Sequence, residues 1–314
     1  MTAADLAYFV PLLVVVGGLA AYFFARSVGP RYRRWTGTLA AAWLLAAFVL
    51  LLVAVHFGYP ASATNLFGPI LTSSSLSVLI GLLATGIGAV ASFASQGRID
   101  PKGPVHLYYP LLLFALGGAA AVGFSADLFT LFVMVELSAI PSYALVAYRY
   151  REDSRSLGAA LKYLIQGVAG TVTALLGVSL LYLAGGTLTI ALLPTALRGA
   201  DSLLVGLAAA LLLVGYGVKL AVVPVHTWLA DAYALAPGGV TAVMAGATKA
   251  GALVALLLSF SALPVDAVAP VYLGIAVSVL AVLTMTVGNL LALNQRDLRR
   301  VLAYSSVAQM GYLL

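Results

Sequence analysis

What most limits this chain is a series of apolar stretches, each close to twenty residues long and nearly free of charge. There are about ten, near Leu6–Phe24, Thr38–His56, Leu76–Ala94, Leu107–Phe124, Leu128–Tyr148, Leu157–Leu183, Leu203–Val223, Gly239–Phe260, Ala267–Leu293 and Leu298–Leu314. Crossing the hydrocarbon of a bilayer as a helix takes about 20 apolar residues, so each stretch is a predicted span. A barrel would instead show short alternating segments. Only 8% of the residues are charged and 63% are hydrophobic, whereas a soluble domain carries about 25% charged residues. The polar surface needed to face water is missing. The expectation is an all-α polytopic membrane protein. No cleavable signal peptide is evident: the first stretch is too long, lacks a basic start and is followed by arginines.

The charges say how such a chain would sit. Arg26, Arg31, Arg33 and Arg34 lie between the first two spans, and Arg98 and Lys102 follow the third. Arg149, Arg151 and Arg155 follow the fifth, and Arg296, Arg299 and Arg300 precede the tenth. In an alternating topology these loops share one side, and only Arg198 falls on the other. Basic loops stay cytoplasmic, which places the N-terminus outside; the expected location, apart from the charge argument, is a prokaryotic cell membrane. The net charge of +6 therefore belongs to loops, so the expected partner is the lipid bilayer and not nucleic acid. The last stretch would extend only about 27 Å at helical rise, and the chain reads as a piece of a longer protein.

Glu136, Lys162, Lys219 and Lys249 remain, all inside predicted spans. A charge at mid-membrane costs roughly 2.5–3.5 kcal/mol, so four unpaired ones would cost on the order of 10 kcal/mol. Such groups must pair, neutralise or touch internal water. Glu136 opposite Lys219 or Lys162 is the expected pair. Burial and an opposite charge act on a lysine's proton affinity in opposite directions, so a buried lysine with a movable partner is a relay element. In the seventh span Gly215, Gly217 and Pro224 bracket Lys219, and the proline should break the helix near there. Broken spans line polar cavities in transporters. Lys219 and His226 would share a face of a regular helix, and histidine is the side chain suited to passing protons at neutral pH. Gly246 and Gly251 leave room around Lys249 for a neighbouring helix or water. The candidate relay is Glu136, Lys219 and Lys249, with Lys162 and His226 as further members. Plainer roles exist: Glu136 tying helices together or bonding backbone freed by Pro141, Lys162 snorkelling to the interface, and His226 as a structural residue at the break. Residues 231–233 read as a half-helix end.

Other chemistry is missing. With no cysteine there is no thiolate site, and His56, His106 and His226 are far apart. No phosphate loop or haem-ligand spacing occurs. Neither a metal nor a redox cofactor is expected on this chain.

The stretches "VELSAIPSYALVAY", "ALKYLIQG", "VKLAVVPVHTWLADAYALAPGGVTAVMAGATKAG" and "TVGNLLALNQRDLRRVLAYSSVAQMGY" resemble the antiporter-like subunits of respiratory complex I. Mrp-type cation/proton antiporters and membrane-bound hydrogenases share that family. "ALKY" and "TVGNLLAL" look most like the N-type subunit, while "PVHTWLADAY" is nearer the Mrp and M-type pattern. The resemblance implies inverted five-helix repeats. On that basis residues 1–105 form an N-terminal three-helix segment. Residues 106–262 are an antiporter-like repeat of spans four to eight with a broken seventh, and 263–314 start an incomplete second repeat. Glu136, Lys219 and Lys249 match the family's ionisable row, and Lys162 the extra lysine of N-type subunits. The resemblance also implies a proton-translocating subunit of an NADH:quinone oxidoreductase-type complex, without a redox centre of its own. Quinone, NADH or another donor, flavin and iron–sulfur clusters would sit in partner subunits. A stand-alone solute transporter and a structural scaffold are the rival classes.

Overall fold

The computed structural model describes residues 7–29, 32–56, 70–99, 104–264 and 270–314. Leu6, Arg31, Lys102 and the start of the ninth predicted span, Ala267, lie outside the described residues. The helices are α1 (Val10–Ser27), α2 (Thr36–His56), α3 (Ser75–Ser95), α4 (Val105–Val122), α5 (Leu128–Val146), α6 (Arg155–Gly185) and α7 (Ser202–Leu220). A short helix α8 (Leu229–Leu235) follows. Then come α9 (Gly238–Ser261), α10 (Pro270–Leu293) and α11 (Leu298–Leu313). Among the described residues nine helices are long and apolar enough to cross a membrane. The tenth predicted span is α11, a helix of 16 residues. No strand occurs among the described residues, only two isolated bridges.

The chain forms two compact units. Unit one holds α1–α4, residues 133–148 of α5 and the start of α9 through Gly251. Its centre is α4, whose "GGAAA" has no bulky side chains to hold neighbours away. A Cβ on Gly117 would strike Val15 of α1, and one on Gly118 would strike the Ser138 backbone of α5. Without a hydrophobic drive between helices in lipid, such close backbone contact is what holds them. Some polar groups inside bond from helix to neighbouring backbone. Trp43 donates from Nε1 to the Leu13 carbonyl at 2.7 Å, and Ser77 Oγ donates to the Gly123 carbonyl at 2.6 Å. Ser74 caps α3 through a reciprocal bond with Ser77.

Unit two holds residues 127–132, α6–α8, the rest of α9, α10 and α11. The helices α6 and α7 meet through glycines: Gly215 faces the Gly170 carbonyl and Ala174, and Gly177 faces the Ala208 carbonyl. The α10–α11 pair repeats the device, with Gly288 against Ala308 and Gly311 against Met285.

Candidate functional site

The α7–α8 break lies in unit two. Pro224 implies a break near itself, but the helix ends earlier, at Leu220. Ala221 turns left-handed at φ 58°, which for a residue with a Cβ costs roughly 1–2 kcal/mol. The Val223–Pro224 peptide is cis. Because the helix stops, the shared face expected for Lys219 and His226 does not exist. Lys219 is buried in the last turn of α7, whereas His226 sits in the non-helical connection.

In hydrocarbon every freed backbone group needs a partner, and side chains supply several. Trp228 donates its indole N–H to the Val218 carbonyl at 2.9 Å. Its ring stacks on Tyr163 of α6, centroids 4.1 Å apart and 11° from parallel. The Val223 N–H donates to Thr284 Oγ1 of α10 at 3.1 Å. Gln166 of α6 donates from Nε2 to Thr227 Oγ1 at 2.8 Å.

Lys162 is bound here too. Its Nζ lies 3.0 Å from Asp231 Oδ2, and Arg300 Nη2 lies 3.0 Å from Asp231 Oδ1. One carboxylate on α8 thus joins α6 to α11. Arg299 adds a bond to the Ala234 carbonyl at 3.0 Å. The expectation that Lys162 is an alternative partner for Glu136 is corrected: its carboxylate is Asp231, read from sequence only as part of a half-helix end. The missed signal was an acid on the apolar piece just beyond a proline break. Beside this network opens a cleft of about 530 Å³, walled by Arg149, Glu152, Asp153, Arg155, Arg299 and Arg300 among others.

In unit one Lys249 is buried, 2% exposed. It directly follows a π-helical turn, Met244–Thr248, inside α9. Such turns cluster at functional sites, and nothing in "MAGAT" announces one. Gly246 and Gly251 admit neighbouring helices: a Cβ on Gly246 would meet Ile87 of α3, and Gly251 faces Ala119 of α4. Glu136 lies on α5 and is half-buried, shortly before Pro141, an in-helix proline. Ser142 donates to the Ser138 carbonyl at 2.8 Å beside that proline. Among the described residues no three His, Cys, Asp or Glu gather as metal ligands would.

Membrane helices, a broken span and lysines buried within spans define a polytopic membrane protein with ionisable groups inside its spans. The chain belongs to the NADH:quinone oxidoreductase/Mrp antiporter transmembrane family, whose profile matches residues 125–314. It is similar to NADH-quinone oxidoreductase subunit N of Chromohalobacter salexigens, 36% identical over 290 residues, covering 90% of this chain and 58% of the relative. Its fold matches a chain of respiratory complex I from Thermus thermophilus with TM-score 0.78 and 30% identity, covering 97% of this chain and 63% of that one. It also matches a chain of the Mrp complex from Dietzia sp. with TM-score 0.82 and 26% identity, covering 98% and 58%. The chain spans about half to two-thirds of the length of the curated relatives it matches.

Proposed function

We propose that the protein is a proton-translocating membrane subunit, of the N type, in a complex I-like NADH- or other donor:quinone oxidoreductase. The observation that carries this reading is the burial of Lys219 and Lys249 within spans, in a chain of this family. Ammonium groups are too costly there to be incidental. In the proposal Glu136 changes the proton affinity of Lys219 as its own surroundings change. Lys219 then exchanges protons with Lys249 through internal water. Lys162, held by Asp231, is a further member, and His226 serves the break. The electron donor, flavin, iron–sulfur clusters and quinone belong to partner subunits, and the other membrane subunits pack beside this chain. The setting is a prokaryotic cell membrane with the N-terminus outside. Residues 106–262 act as the antiporter-like repeat, and residues 263–314 begin a second.

The test is coupled proton transport by the assembled complex in vesicles. Glu136→Gln and Lys219→Ala are each expected to remove most of it while electron transfer partners still assemble. Wild-type pumping in both variants sinks the relay.

A second reading is supported by the fold match to an Mrp complex: a subunit of a cation/proton antiporter. Sodium-dependent proton exchange without any electron donor distinguishes it.

A further inference from the structure

Unit one holds a second polar site that the relay does not use. Between the start of α2 and the α3–α4 turn lies a pocket of about 580 Å³, within the usual ligand-site range of about 300–1,000 Å³. Arg33 lines it, and its Nε is buried with no hydrogen-bond partner among the described residues. An orphaned buried donor asks for an explanation, and a missing ligand is one. Gln96 donates to Thr38 Oγ1 at 2.7 Å, fixing one wall. Tyr109 forms another. Gly97, at φ +72° with open space where a Cβ would be, leaves the rim uncovered. Trp35, half exposed, stands at the mouth.

Depth and charge narrow the ligand. Arg33–Trp35 is a single turn leading directly into the apolar helix α2, so the pocket lies where a span meets the headgroup layer. Aromatic side chains prefer that layer. In sequence the stretches after the first and third predicted spans carry Arg26, Arg31, Arg33, Arg34, Arg98 and Lys102 against one acid, Asp100. A guanidinium fork suits phosphate oxygens. We propose that this pocket binds the phosphate of an anionic phospholipid headgroup, with Arg33 as the donor and Trp35 and Tyr109 flanking the glycerol.

The experiment uses the protein in the assembly in which mild detergent extracts it, transferred to nanodiscs of phosphatidylcholine with or without phosphatidylglycerol. Phosphatidylglycerol is expected to raise the thermal midpoint and to remain bound in native mass spectra. Arg33→Gln should lose the rise and retain the lipid about fivefold less well, the factor one basic residue contributes at an anionic surface. Arg198→Gln, an exposed arginine outside these stretches and the pocket, should keep both. Inorganic phosphate that reproduces the rise in phosphatidylcholine alone would confirm the phosphate site but assign it to a soluble ligand. Full lipid retention and midpoint rise in a folded Arg33→Gln overturn the proposal. If that variant does not fold, Arg33→Lys decides: loss of the rise supports the fork, and wild-type retention overturns it. Proton transport is read separately, so neither result bears on the relay.

Discussion

Asp231 receives both Lys162 and Arg300 at 3.0 Å, so one acid is asked to satisfy two cations. All three side chains are partly open to the surface, which weakens each pair. The coupling between Lys162 and Asp231 is therefore expected to be modest, about 0.5–1 kcal/mol in a double-mutant cycle of Lys162→Met and Asp231→Asn. Additive effects on detergent unfolding would show that the pair is not made. Asp231→Asn alone should cost more than Lys162→Met alone, because it leaves two positive groups facing each other. This residue also marks where the sequence stopped being legible. Lys162 stood out through the cost of a charge in an apolar run, but its partner is 69 positions away. No local pattern joins them, since the contact exists only once α8 has been folded back between α6 and α11.

The helix pairs depend on where the chain has no side chain. On α7, Gly215 faces backbone of α6, with the Gly170 carbonyl 2.6 Å from an added Cβ. Backbone cannot step aside, so Gly215→Val should force α6 and α7 apart and cost about 1–3 kcal/mol. On the same helix nothing lies within 4 Å of a Cβ at Gly206. Gly206→Ala should be neutral or stabilise by up to about 1 kcal/mol through helix propensity. Thermal unfolding followed by helical circular dichroism separates the two, and equal effects would contradict the close approach. Element positions were largely readable, because lipid permits few alternatives to an apolar helix. The exceptions are backbone irregularities. Pro224 announced a break, yet the turn falls at Ala221, where a β-carbon is an unusual tenant. The π turn before Lys249 left no trace in "MAGAT", whose residues suit an ordinary helix equally well.

At the scale of the whole molecule the orientation rests on charge alone, and the chain offers a direct way to check it. It has no cysteine, so any introduced thiol is unique. Ser27→Cys, at the end of α1 beside Arg26, and Ser154→Cys, beside Arg155, should react with a membrane-impermeant maleimide only in inverted vesicles. Thr195→Cys, near Arg198, should react in intact cells. The opposite pattern would reverse the topology and with it the assignment of sides to the relay. One length also has a bearing on how protons arrive. Helix α6 has 31 residues and so runs about 46 Å, well beyond a hydrocarbon thickness of about 30 Å. Arg149, Arg151 and Arg155 stand at its start, so the opening turns are the end expected to overhang the oil, with Lys162 about 10 Å from the first residue. The Lys162 side chain is 39% exposed while Lys219 and Lys249 are buried, so in the relay proposed above any slow, gated step is expected at the buried lysines and not at Lys162.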